Sequence, residues 1–119
     1  MLIIDVEDLV ANLLIEKMER GGSREVFFSE VYEYGNIVVQ KLLEKRVTSR
    51  ISINEENVDM MLRRYSNFFV LFSNGKESGI RLKPEVSTED LWNRFRGYLS
   101  TILLKIFQDS FCCMYKQFS

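Results

Sequence analysis

Apolar residues recur at helical spacing in four stretches of the chain and alternate at strand spacing in shorter ones. Val6, Leu9, Val10, Leu13, Leu14 and Met18 fall at i, i+3 and i+4 steps, which predicts an amphipathic helix over 5–18. Gly21-Gly22 closes it, as glycine does just past a helix C-terminus. Residues 23–28 are β-branched or aromatic and short, a strand or a connection. Val31, Tyr34, Val38, Leu42 and Leu43 predict a second helix over 29–46. Gly35 lies inside it, weakens it by ~1 kcal/mol relative to Ala, and is a candidate break.

Arg50-Ile51-Ser52-Ile53 alternates polar and apolar, the pattern of a short half-buried strand. Asn54 suits an N-cap, and Glu55, Glu56 and Asp59 suit the first turns of a third helix. Val58, Met61, Leu62 and Tyr65 form its apolar stripe. A hairpin follows. Residues 68–73 are rich in strand formers, and Asn74-Gly75 is the favoured pair for a tight turn. Ile80 and Leu82 alternate with Arg81 and Lys83 on the return strand, and Pro84 stops it. Phe68, Val70 and Phe72 share one face while Phe69 and Leu71 share the other, so both faces are expected to be covered.

A long helix is expected over 88–118, opened by Ser87 and Asp90 in a capping-box arrangement. Leu91, Trp92, Phe95, Leu99 and Ile102 gather on one side of its first half. Further on, Leu104, Phe107, Phe111, Tyr115 and Phe118 lie far around from Ile106 and Cys113. A helix apolar nearly all round must be covered nearly all round. One small domain covers one side, so the five residues from Leu104 to Phe118 are the candidate dimer interface with a second copy.

At 119 residues the chain fits one ordinary domain. It contains no His, which removes His-based acid–base chemistry, the usual activation of Ser or Cys nucleophiles, and most transition-metal sites. Cys112 and Cys113 are adjacent, cannot staple distant segments, and read as reduced core residues. The carboxylate pairs Glu7-Asp8, Glu55-Glu56 and Glu89-Asp90 all stand near expected helix starts, where acids favour the helix dipole. Neither a phosphate-cradling glycine loop nor an activated-serine motif occurs. These readings point away from an enzyme and from any cofactor or metal. The opening MLIIDVED lacks a basic region, and the apolar runs are far too short to span a bilayer. A cytoplasmic location without a membrane partner is expected.

The charge is unevenly placed, and this changes the picture. Residues 1–40 hold eight acids against three bases. Residues 61–84 hold Arg63, Arg64, Lys76, Arg81 and Lys83 against Glu77 alone, with Arg50 shortly before them. If folding brings these bases together, they make a positive patch on an otherwise acidic body, suited to a polyanion.

A helix ending Val58-Asp59-Met60-Met61-Leu62-Arg63-Arg64-Tyr65 that runs into a hairpin over 68–83 with an Asn-Gly-Lys tip resembles the winged helix-turn-helix superfamily. The likeness is architectural and carries no fingerprint motif. It implies a mainly α fold with a β-hairpin: a winged-helix-like domain over 1–86 and a long C-terminal helix over 87–119 for packing and dimerisation. It also implies that the helix before the hairpin enters the DNA major groove while the hairpin reaches phosphates or the minor groove. The resulting expectation is a homodimeric DNA-binding protein, a transcriptional or plasmid-partition regulator. Arg50, Arg63, Arg64, Lys76, Arg81 and Lys83 would meet phosphates, and Asn54 and Asn57 are candidate base readers. Double-stranded DNA and a second copy would be its partners. The alternative is a non-enzymatic protein-interaction module without DNA binding: a viral or plasmid accessory factor, an inhibitor or a complex subunit. The acidic first 40 residues favour that alternative.

Overall fold

Seven of the residues from Val6 to Ile15 are buried, so the first helix is apolar around most of its circumference and needs neighbours on several sides. The computed structural model describes residues 1–95. The element order is β1 (Leu2–Asp5), α1 (Val6–Gly21), β2 (Glu25–Phe27), α2 (Phe28–Glu44), β3 (Ser49–Ser52), α3 (Glu55–Arg64), β4 (Phe69–Ser73), β5 (Ser78–Leu82) and α4 (Thr88–Arg94). α1 packs against α2, α3, α4, β1 and β2 and forms the centre of one core. The described chain is therefore a mixed α/β fold with two small sheets, and strands have a larger part in it than a mainly helical chain with one hairpin would give them.

Local chemistry explains most boundaries. Gly22 adopts φ 76 and donates its N–H to the Lys17 and Met18 carbonyls, ending α1 as expected. At the start of α2, Glu30 reaches back to accept the Phe27 N–H at 3.1 Å, satisfying a donor the helix cannot. α2 is not divided at Gly35. A Cβ there would stand 2.6 Å from Ile51 Cδ1, so the missing side chain admits β3 against the helix. At the other end of α2 the Val47 N–H bonds to Leu42 O and the Arg46 N–H to Leu43 O, a Schellman pattern with Arg46 at φ 63 in the position glycine usually takes.

β1 and β3 pair in parallel, Leu2 with Ser49 through Asp5 with Ser52. The second sheet is antiparallel, in the order β2-β5-β4. β5 is its central strand, and Gly79, Ile80 and Leu82 are buried there. The hairpin loop has four residues rather than the tight two expected from Asn74-Gly75, since Ser73 is paired with Ser78. Asn74 Oδ1 accepts the N–H groups of Lys76 and Glu77, and Gly75 takes φ 92. The expectation that both hairpin faces are covered fails among the described residues. Phe69 is buried, but Leu71 is 56% exposed.

Ser87 and Asp90 form the expected capping box, with the Asp90 N–H donating to Ser87 Oγ and the Ser87 N–H to Asp90 Oδ2. Leu91 and Phe95 are buried in the same core as α1. Phe95 also closes on Tyr65, Phe68 and Phe69, with ring centroids 4.8, 6.1 and 5.8 Å away. α4 is described only to Arg94, and the remainder of the helix expected over 88–118 lies outside the described residues.

Candidate nucleic-acid interface

α3 positions the central candidates. Its N-cap is Asn54, whose Oδ1 accepts the Asn57 N–H at 2.8 Å. Asn57 in turn donates its Nδ2 to Ser52 O and Ser52 Oγ, tying α3 to the end of β3. Both candidate base readers thus carry local structure. Glu55, Glu56 and Asp59 are exposed in the first half of α3, where acids complement the positive end of the helix. Arg63 and Arg64 are exposed in its last turn, where bases complement the negative end. Neither guanidinium has a hydrogen-bond or ion-pair partner among the described residues.

The chain passes from Arg64 into Tyr65 and the base of the hairpin. Lys83 stands at that base, half-buried, with its N–H donated to Phe68 O. Lys76 is exposed at the tip, beyond β4, whose five residues of about 3.3 Å each span roughly 17 Å. Glu77 beside it accepts from Ser29 Oγ at 2.7 Å, which ties the tip to the start of α2. Arg81 belongs to the sheet rather than to a free patch. Its guanidinium donates to Glu25 Oε2 at 3.0 and 3.1 Å and lies 4.8 Å over the Phe72 ring. Arg50 is exposed on β3, opposite Ile3 of β1. β3 precedes α3 in the chain, and α3 itself is about 15 Å long from Glu55 to Arg64. Arg63 and Arg64 stand in the last turn of α3, Lys83 at the base of the hairpin, Lys76 at its tip and Arg50 on β3.

Arg24 was not among the sequence candidates. Its Nη2 donates to Lys83 O and Val86 O, both at 2.6 Å, and so anchors the segment between β5 and α4. Its partners lie 59 and 62 residues ahead, so no local pattern could reveal it.

A small cavity of about 150 Å³ lies between the β1–α1 junction and α3, lined by Asp5, Val6, Glu7, Asn57, Met61 and Arg64 among others. Next to it the Asp8 carboxyl is pushed up to about 6 by burial, with the charges of Glu7 and Asp5 adding to the effect. For Glu30 burial acts the same way but is outweighed by hydrogen bonds from Lys17 and the Phe27 N–H and by the Lys17 charge, which hold its carboxyl below the usual range. Among the described residues no three potential metal ligands cluster, and no helix is long and apolar enough to cross a membrane. The candidate dimer residues Leu104, Phe107, Phe111, Tyr115 and Phe118, and the Cys112-Cys113 pair, lie outside the described residues. No protein-family model, curated protein or solved structure matches the chain.

Proposed function

We propose that this chain is a non-enzymatic, homodimeric DNA-binding protein of winged-helix type, a transcriptional or plasmid-partition regulator by class. One observation carries the reading. α3 leads into an antiparallel hairpin, and its last turn presents two exposed guanidinium groups with no partner among the described residues. Buried or paired arginines would be structural; these two are available to phosphates. The exposed Lys76 extends the basic contact along the hairpin. Dimerisation rests on the apolar spread of the sequence from Leu104 to Phe118.

Replacing Arg63 and Arg64 together with Ala should weaken duplex binding at low salt by about tenfold or more, for every sequence alike. Unchanged affinity would remove the patch from the account. A protein-interaction module is the second reading. It is favoured by Met60 and Leu71, exposed by 50% and 56%, on the two elements that would face DNA. It expects no duplex binding at any salt, and loss of self-association when Phe107, Phe111 or Tyr115 becomes charged.

A further inference from the structure

β4 is an open edge of the β2-β5-β4 sheet, and its sequence does nothing to protect it. Natural edge strands are kept from pairing by brevity, by charged side chains or proline, or by a bulge. Phe69-Val70-Leu71-Phe72-Ser73 has no charge and no proline. Its register with β5 runs unbroken from Phe69–Leu82 to Ser73–Ser78, so it has no bulge. The opposite edge differs. β2 has three residues, its Glu25 is paired with Arg81, and it runs straight into α2.

The hydrogen bonds fix the direction of the β4 main chain. Lys83 donates its N–H to Phe68 O, and Asn74 donates its N–H to Glu77 O. Main-chain groups alternate in direction along a strand, so those of 68, 70, 72 and 74 face β5 and those of 69, 71 and 73 face away. The Phe69 N–H is taken by Tyr65 O at 3.1 Å. The main-chain N–H and C=O groups of Leu71 and Ser73 have no partner among the described residues. The side chains also stop short at this edge. Val26, Ile80 and Leu71 form one row across the sheet. Val26 and Ile80 are wholly buried, whereas Leu71 is more than half exposed.

An extended segment is what completes a strand's edge. The other described strands are already used: β1 and β3 pair with each other, and β2 and β5 belong to this sheet. The sequence beyond Phe95 carries helical spacing. A strand that fills this edge therefore comes from another chain, and β4 fits itself. Leu71 is the midpoint of the strand and turns both a donor and an acceptor outward. Two copies related by a two-fold axis at Leu71 meet antiparallel, each Leu71 donating to and accepting from the other. Each Ser73 N–H then reaches the other copy's Phe69 carbonyl. Leu71 extends the buried row onto its own twin, and Val70 lies against the other copy's Phe72. No like charges meet, because the strand carries none.

We infer that β4 is a self-association edge, where two copies join and merge their three-stranded sheets into one continuous sheet. This goes beyond the DNA reading and holds without it, and it is a separate contact from the one proposed for Leu104 to Phe118.

Light scattering on the full chain tests it. Leu71→Lys sets two ammonium groups face to face on the axis and should lower the mass of the assembly to about half. Circular dichroism verifies that this variant folds. Cross-linking gives a second readout that does not depend on it. Opposed residues of a hydrogen-bonded pair stand about 5.5 Å apart at Cα, within disulfide reach. Leu71→Cys in a C112S/C113S background should therefore join two chains on oxidation, while Lys76→Cys at the exposed tip, in the same background, should not. A folded Leu71→Lys variant of unchanged mass overturns the inference and leaves association through the C-terminal residues standing. So does a Leu71→Cys chain that cross-links no faster than Lys76→Cys. A monomeric wild-type chain overturns both contacts. Duplex binding is read separately, and its failure would remove the DNA reading alone.

Discussion

A Cβ at Gly79 would collide with the Val26 carbonyl oxygen and come within 2.8 Å of Phe72 Cε1 and 2.9 Å of Phe27 Cα. Two of those three obstacles are backbone atoms of the neighbouring strand, which cannot turn aside. Gly79→Ala should therefore lower stability by about 3 kcal/mol, read from urea unfolding. Gly35 is also tightly packed, but there the obstacles are the side-chain ends of Ile51 and Leu9. Alanine recovers ~1 kcal/mol of helix propensity at that site, so Gly35→Ala should stay within about 1 kcal/mol of the wild type. Equal losses at the two glycines would contradict this packing. Arg46 poses the reverse case, a side chain at φ 63 where glycine has no steric penalty. Arg46→Gly should raise stability by about 0.5–1 kcal/mol, and a lower unfolding midpoint would show that the arginine side chain has a stabilising contact of its own. Asp8 makes stability depend on pH. Its folded pKa is raised to about 6, so the folded state holds that proton more tightly than the unfolded chain does. Its contribution is complete below about pH 4 and declines as pH rises toward 6. Asp8→Asn should stabilise the protein near neutral pH by about 1 kcal/mol, a figure already reduced for partial exposure, and the gain should vanish near pH 4. Thermal melts at the two pH values test this, and a gain independent of pH would contradict it.

The helices were legible because their information is local. The i, i+3, i+4 apolar steps of α1 and α2, the Gly22 terminus, the Asn54 cap and the Ser87–Asp90 box each lie within a few residues of what they determine. The hairpin was legible for the same reason, although its loop length was not. Asn74 uses its side chain to accept two backbone N–H groups, which favours the longer loop over a two-residue turn. β1 was not legible. Leu2-Ile3-Ile4 is too short to show alternation, and its parallel partner begins 47 positions later. The candidate site was legible in part, and the reason is visible at each residue. Exposed arginines at a helix C-terminus can be placed from helix position alone, as Arg63 and Arg64 were. A side chain claimed by a distant residue cannot: Arg81 by Glu25, and Arg24 by the carbonyls of Lys83 and Val86. Arg24→Ala should lower stability by about 2 kcal/mol, since it leaves two buried-edge carbonyls without a charged donor. Hydrogen exchange should accelerate across 83–86 first. Uniform exchange along the chain would deny Arg24 its anchoring role.

Taken whole, the described chain is one core around α1, with exposed bases in the last turn of α3, at the hairpin tip and on β3, and exposed acids in the first half of α3. The proposed dimerisation through the apolar residues from Leu104 to Phe118 would place two such surfaces in one assembly. The most direct measurement is a fluorescence-anisotropy titration of a labelled mixed-sequence duplex with the full chain at low and at physiological salt. The account predicts saturable binding that weakens by about 400-fold between 50 mM and 150 mM salt, as a dimer making some six phosphate contacts requires. No binding at low salt would contradict it, and would direct attention to a protein partner instead.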